Sequence, residues 1–326
     1  MRTKSLQILF KIIYSLIYIS SLGSCSAPSN VQINETDVVF QVVKTRDSEF
    51  VTTELPGINP TNSGTIQSQK DTPTPKTQSS IMIDWRDLPV IPELISSSTI
   101  EIYKKGRKFH TNPYAFSVIG DCESSESWFL GDFEHDIGNY NLGPYQNLQT
   151  VINAFQGSYG RKSLAVGNGF NSASILSPFW ANQDFCNMSE TPLECEIRIH
   201  HPSFVLVLLG TNDIYNLEKY ESNLHLILTS LIEQGIVPVL ATKADNLEGN
   251  HQINDIISRL ANEYEIPLWN FWRVVQPLSN QGLQDDKAHL TWAGNDFSDP
   301  VVMDKAWPWR NLTALQILDF LLKSVH

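Results

Sequence analysis

Three short stretches carry residue types suited to acyl transfer. Cys122 closes the stretch Gly120-Asp121-Cys122 directly after an apolar run, and "GTND" places Asn212 and Asp213 after another. In "DDKAHLT", Asp286 precedes His289 by three residues. That spacing lets a carboxylate reach the imidazole Nδ1–H within one turn and leaves Nε2 to face a nucleophile. A nucleophile beside an oriented imidazole is the arrangement that attacks a carbonyl carbon: the ring takes the proton, and the acid fixes the tautomer. A thiol suits that role, because its ordinary pKa of about 8.5 falls beside a histidine and a thiolate is a strong nucleophile.

Such groups need a frame. Short, nearly continuous apolar runs lie at 115–120, 163–168, 204–210, 236–242 and 266–271. Runs of this kind mark strands buried on both faces. Helical patterns at 148–155, 217–234, 252–264 and 312–325 alternate with them. The alternation predicts a three-layer α/β/α sandwich on a parallel five-stranded sheet. Open sheets of this class gather their functional groups at the carboxyl ends of the strands. Cys122 and Asn212 fall at such ends.

With "GDC", "GTND" and "DKAH" in that order over about 116–291, the chain resembles the SGNH, or GDSL, hydrolase family. Each motif alone is weak, since "GDF" recurs at Gly131 with no nucleophile behind it. The resemblance implies a flavodoxin-like fold and hydrolysis of ester or thioester bonds, without a metal or organic cofactor. It puts Cys122 where the family has a serine, and gives Asp286 and His289 the family's Asp-x-x-His. It makes Asn212 an oxyanion-hole donor. The family's glycine block aligns with "VGNGFNSAS", where Gly169 or Ser172 would supply a second, backbone donor. Three readings of Cys122 stay open: a working nucleophile, a relic in a site that binds a glycan or acylated ligand without turnover, or a small buried apolar residue. Retention of Asn212, Asp286 and His289 speaks against the third. Ser124 is a poor substitute, because two residues of helix would turn it away from the base. A metal site of Cys122, His289 and Asp286 lacks supporting spacing.

Composition narrows the setting. Over 326 residues, hydrophobic types make up 41%, enough for a full core, and the net charge is −12. A strongly acidic chain is a poor partner for nucleic acid; the substrate implied by the family resemblance is a small-molecule or glycan ester. Residues 1–25 read as a signal peptide: basic Arg2, Lys4 and Lys11, then an apolar run too short to span a bilayer, then Leu22-Gly23-Ser24-Cys25. That ending resembles a bacterial lipobox with Cys25 lipidated, which implies an extracytoplasmic, membrane-anchored protein. The alternative is secretory cleavage near Ala27. Residues 26–80, rich in Ser, Thr and Pro, read as a flexible tether before a domain at 81–326. In an oxidising compartment Cys186 and Cys195 are expected to pair, leaving Cys122 as the odd thiol. Lys243, Asp245 and Asn246 follow the fourth apolar run and could line the cleft, but read as a surface loop, since polar strand-end loops are common.

Overall fold

The computed structural model describes residues 84–134 and 139–325. The expected signal segment, Cys25 and the expected 26–80 tether lie outside the described residues.

Four parallel strands form the main sheet: β1 (Asn112–Gly120), β2 (Pro202–Leu208), β3 (Val237–Ala241) and β4 (Leu268–Trp269), in that spatial order. Register runs from Phe116 opposite Phe204 to Gly120 opposite Leu208, then Phe204 opposite Val237 and Leu240 opposite Leu268. β2 is buried at every position, as its apolar run requires. Helices lie on both sides: α1 (Ser97–Lys108), α2 (Gln149–Ala154), α3 (Pro192–His200), α4 (Leu217–Glu233), α5 (Gln252–Glu263) and α6 (Ala306–Val325).

Among the described residues the sheet has four strands, not five. The stretch 163–168 contributes a single parallel bridge, Val166 to Gly120, outside β1. Ser163 explains the loss. Its hydroxyl donates to Val118 O at 2.7 Å, the carbonyl that the next ladder bond would use. The Ala165 N–H that would have donated there turns back to Ser163 Oγ at 3.1 Å. A side-chain hydroxyl has replaced the ladder. Beyond the bridge, Phe170 N–H meets Gly167 O and the chain turns away.

α6 starts at Ala306, ahead of the 312 start expected from the sequence, because Pro308 sits in its first turn, where proline is tolerated. α3 carries a capping box between Thr191 and Glu194. Its Cys195 is bonded to Cys186, with Cα atoms 5.3 Å apart, as expected.

Candidate active site

β1 ends at a sharp turn. A Cβ on Gly120 would lie 2.1 Å from Ser124 Oγ, so the chain folds back more tightly than any other residue permits. Asp121 caps the following turn, Cys122–Ser124, by accepting the Glu123 N–H at 3.1 Å. Cys122 is half-buried and lies outside the disulfide. It is therefore not a core residue. Ser124 is buried at 3% exposure behind Gly120, which removes it as a nucleophile.

The histidine rides on a loop pinned at both ends by the Leu283–Leu290 bridge, with both leucines buried. Asp286 Oδ1 accepts the backbone N–H groups of Ala288 and His289, each at 3.0 Å. Its Oδ2 lies 2.5 Å from His289 Nδ1. One carboxylate thus builds the turn and orients the ring, although the segment is a loop rather than a helix.

After β2, Gly210 adopts φ +141°, and a Cβ there would meet Ile253 Cγ2 at 2.8 Å. Thr211 Oγ1 donates to Asp245 Oδ2 at 2.8 Å. Asn212 Nδ2 donates to Phe170 O at 3.1 Å and reaches Asp121 Oδ2 at 3.5 Å. Of the two expected backbone donors, Ser172 is unsuitable. Its N–H is committed to Asp213 Oδ1 at 3.0 Å, and its hydroxyl to the same oxygen at 2.5 Å. Gly169 precedes Phe170, is exposed, and has no heavy atom within 4 Å of where a Cβ would stand. Asp213 therefore supports the loop through its side chain.

The residues on either side of Cys122 tie these pieces together. Asp121 meets Asn212, while Glu123 Oε1 accepts the Leu290 N–H at 2.8 Å, one residue past His289. The three stretches are thereby gathered at the carboxyl end of the sheet. Sequence reasoning missed Glu123 and its partner Arg310, whose Nη1 lies 3.4 Å from Glu123 Oε2. A charged residue directly after the cysteine, and an arginine in the tryptophan-rich "WPWRNL", were the available signals. Lys243 is no surface-loop residue: it is buried and paired with Asp245 at 2.5 Å and Glu248 at 2.6 Å.

The electrostatics follow from these contacts. Burial pushes Asp121 up to about 6, against the opposing charge of Arg310. Burial likewise takes Glu123 up to about 7, over the pull of Arg310 and helped by the charge of Asp121. For Asp286, burial is outweighed by the His289 hydrogen bonds, and its value falls to about 2. For His289, burial pulls downward, but the bond to Asp286 and the charges of Glu123, Asp286 and Asp121 hold the ring above its ordinary value. The protonated ring is thus better supported here than in water.

No family model matches the sequence, and no curated protein matches it. Among solved structures, the chain is similar to a psychrotrophic esterase from Pseudoalteromonas sp., at 15% identity over 64% of this chain and 99% of that one, with a TM-score of 0.41. It is also similar to a catalytic mutant of an acetylxylan esterase from Geobacillus stearothermophilus, at 14% identity, 63% and 94% coverage and a TM-score of 0.40. A third is a GDSL-like lipase from Bacteroides thetaiotaomicron, at 14% identity, 69% and 98% coverage and a TM-score of 0.39. Likeness so distant decides nothing about chemistry, which has to come from the side chains.

Proposed function

We propose that the protein hydrolyses small-molecule or glycan esters, or thioesters, with Cys122 as nucleophile. The Cys122 thiol gives its proton to His289 Nε2 and its sulfur bonds to the carbonyl carbon. The carbonyl oxygen becomes an oxyanion held by the Asn212 side-chain N–H and the Gly169 backbone N–H. Collapse of that intermediate breaks the bond to the leaving oxygen, which takes the proton from His289 and departs as an alcohol. Water then attacks the thioester, His289 takes its proton and returns it to sulfur, and the acid leaves. Asp286 fixes the ring with Nδ1–H inward throughout. No cofactor enters these steps.

The observation that carries this reading is the pinning of the Asp286–His289 loop to the turn that holds Cys122, through Leu290 N–H and Glu123. The proposed setting is extracytoplasmic, with residues 1–24 removed, Cys25 lipidated as the new first residue and 26–80 tethering the domain to a membrane. Radiolabelled fatty acid incorporated by wild type and lost in Cys25→Ala tests that part.

A second reading, a binding protein without turnover, draws on one observation: both Asn212 amide hydrogens already have acceptors, Phe170 O and Asp121 Oδ2. The test is exposure of the purified protein to a short-chain acyl ester such as p-nitrophenyl acetate. Turnover with an acyl adduct on Cys122, absent in Cys122→Ala, supports the hydrolase. Neither turnover nor adduct leaves the binding reading.

A further inference from the structure

We infer that Glu123 is a positioning residue for His289, a second carboxylate opposite Asp286 that is itself fixed by Arg310. The inference rests on the Cys122–His289 reading above.

Glu123 and Arg310 are both largely out of solvent, at 15% and 10% side-chain exposure. The guanidinium stands 5.3 Å from the Phe129 ring centroid, 5.6 Å from Phe271 and 5.5 Å from Trp307, and its buried Nε has no hydrogen-bond partner among the described residues. Taking a guanidinium out of water into an aromatic box is costly unless it is paired. Its ion-pair partner is Glu123. The pair fixes the carboxylate so that Oε2 faces Arg310 while Oε1 takes the Leu290 N–H. Beside it lies a cavity of about 30 Å³, lined by polar groups including Asp121, Thr211, Lys243 and Asp245. That is room for about two waters beside the pair.

Two consequences follow for the ring. The hydrogen bond to Leu290 fixes the backbone immediately after His289, and with it the height of the imidazole over the Cys122 turn. Glu123 lies in the turn after β1 and its charge bears on the ring, while Asp286 bonds to Nδ1 from its own loop. The charged groups here are Asp286, Glu123 and Asp121 around His289, Arg310 and Asp121 around Glu123, and Asp245, itself paired with Lys243, around Asp121. Asp286 sets the tautomer. Glu123 sets position and adds support for the imidazolium that forms when the thiol gives up its proton.

Glu123→Gln separates the two effects, because its amide oxygen still accepts from Leu290 but carries no charge. Glu123→Ala removes both. The readouts are the His289 midpoint from an NMR titration of the imidazole C–H resonances, assigned with His289→Gln, and the pH profile of Cys122 alkylation by iodoacetamide. In Glu123→Gln the His289 midpoint falls and the alkylation profile moves with it. With acetyl ester, kcat/KM drops about tenfold in Glu123→Gln and about a hundredfold in Glu123→Ala, the range expected for a hydrogen bond to a charged group. Glu123→Gln/Arg310→Met removes the stranded cation in case the single variants fold poorly, and it shows the same fall in midpoint. An unmoved midpoint in a folded variant lacking the Glu123 charge overturns the inference, even if wild type hydrolyses esters through Cys122. A midpoint that moves in a protein that turns over no ester supports it, and it is then the hydrolase reading that fails.

Discussion

Asn212 Nδ2 lies 3.5 Å from Asp121 Oδ2, at the outer limit of a hydrogen bond, while its bond to Phe170 O is a firm 3.1 Å. An oxyanion forming beside Cys122 would displace the longer contact and leave the shorter one to hold the amide in place. Contacts of catalytic groups are often long before substrate binds. Asn212→Ala is therefore expected to cut kcat by about 10²–10³, the effect typical of a lost oxyanion donor, with little change in KM. Steady-state kinetics on an acetyl ester check this. An equal loss in Asn212→Ala and Asn212→Asp, confined to KM, would remove Asn212 from the transition state.

Stability should fall as pH rises from about 6.5 to 8. Asp121 and Glu123 have folded values raised to about 6 and 7, so the native state holds protons that the unfolded chain has released. Their penalty is absent below the ordinary carboxylate range and complete above the folded values. For Asp121 it amounts to roughly 3 kcal/mol, nearly all of it in place by pH 6.5, so the fall above that pH comes mainly from Glu123 and His289. Asp213, also held up by burial, adds in the same sense. His289 is raised, so its contribution is complete below its ordinary value and is lost as pH climbs through the folded one. His200, lowered to about 4 by burial and then by Arg161, acts oppositely, but only below about 6.5, where unfolded histidine titrates. Urea denaturation at pH 6.5 and 8 measures the slope, and Glu123→Gln should flatten it. Parallel slopes in the two proteins would contradict the raised value of Glu123.

Ser172 and Asp213 hold the loop that carries Gly169. The buried Ser172 hydroxyl donates to the buried Asp213 and accepts from the half-buried Asn223 Nδ2 at 3.0 Å. Asp213 Oδ2 is buried without a hydrogen-bond partner among the described residues, so its other oxygen is closely dependent on Ser172. Ser172→Ala should cost about 1–3 kcal/mol, the usual penalty for stranding buried polar groups. Asp213→Asn, which keeps an acceptor and removes the buried charge, should cost less than Asp213→Ala. Thermal melts rank the three, and the reverse order would show that Asp213 acts as a charge.

The strands and the three motifs were legible because each rests on local pattern: β2 is a continuous apolar run, and Asp286 and His289 need only three residues of chain to meet. What escaped was set by contacts distant in sequence. The failure of 163–168 as a strand depends on one serine hydroxyl competing for Val118 O, which periodicity does not register. Glu123 and Arg310 are 187 residues apart, so nothing in either neighbourhood announces the pair. Gly169 and Ser172 were equivalent on paper. They separate only when Asp213 is seen to occupy the Ser172 N–H.

The Cys186–Cys195 bond closes a short loop, with nine residues of sequence separation, at the start of α3. By chain entropy such a closure is worth about 2–3 kcal/mol. Cys186→Ser/Cys195→Ser should lose that much in denaturant titration, and tris(2-carboxyethyl)phosphine should shift wild type but not the double variant. If reductant shifts both equally, the bond is not the source of the stability.

Cys122 itself separates the two functional readings. Asn212 and the Asp286–His289 pair suit an attacking oxygen as well as an attacking sulfur, so Cys122→Ser should retain measurable ester hydrolysis and Cys122→Ala almost none. In wild type the thiol should react with iodoacetamide faster than a small thiol does at the same pH. His289→Ala should slow it, because removing the imidazole removes the support for a thiolate. Asp286→Asn should slow it less: the asparagine oxygen can still accept from the two backbone N–H groups that shape the loop, but the carboxylate that favours the imidazolium is gone. A different pattern would identify a hydrolase frame disarmed at one atom. In that case wild type is inert to esters, its thiol reacts no faster than a small thiol, and Cys122→Ser gains turnover. The cleft would then hold an acylated ligand or glycan without cleaving it.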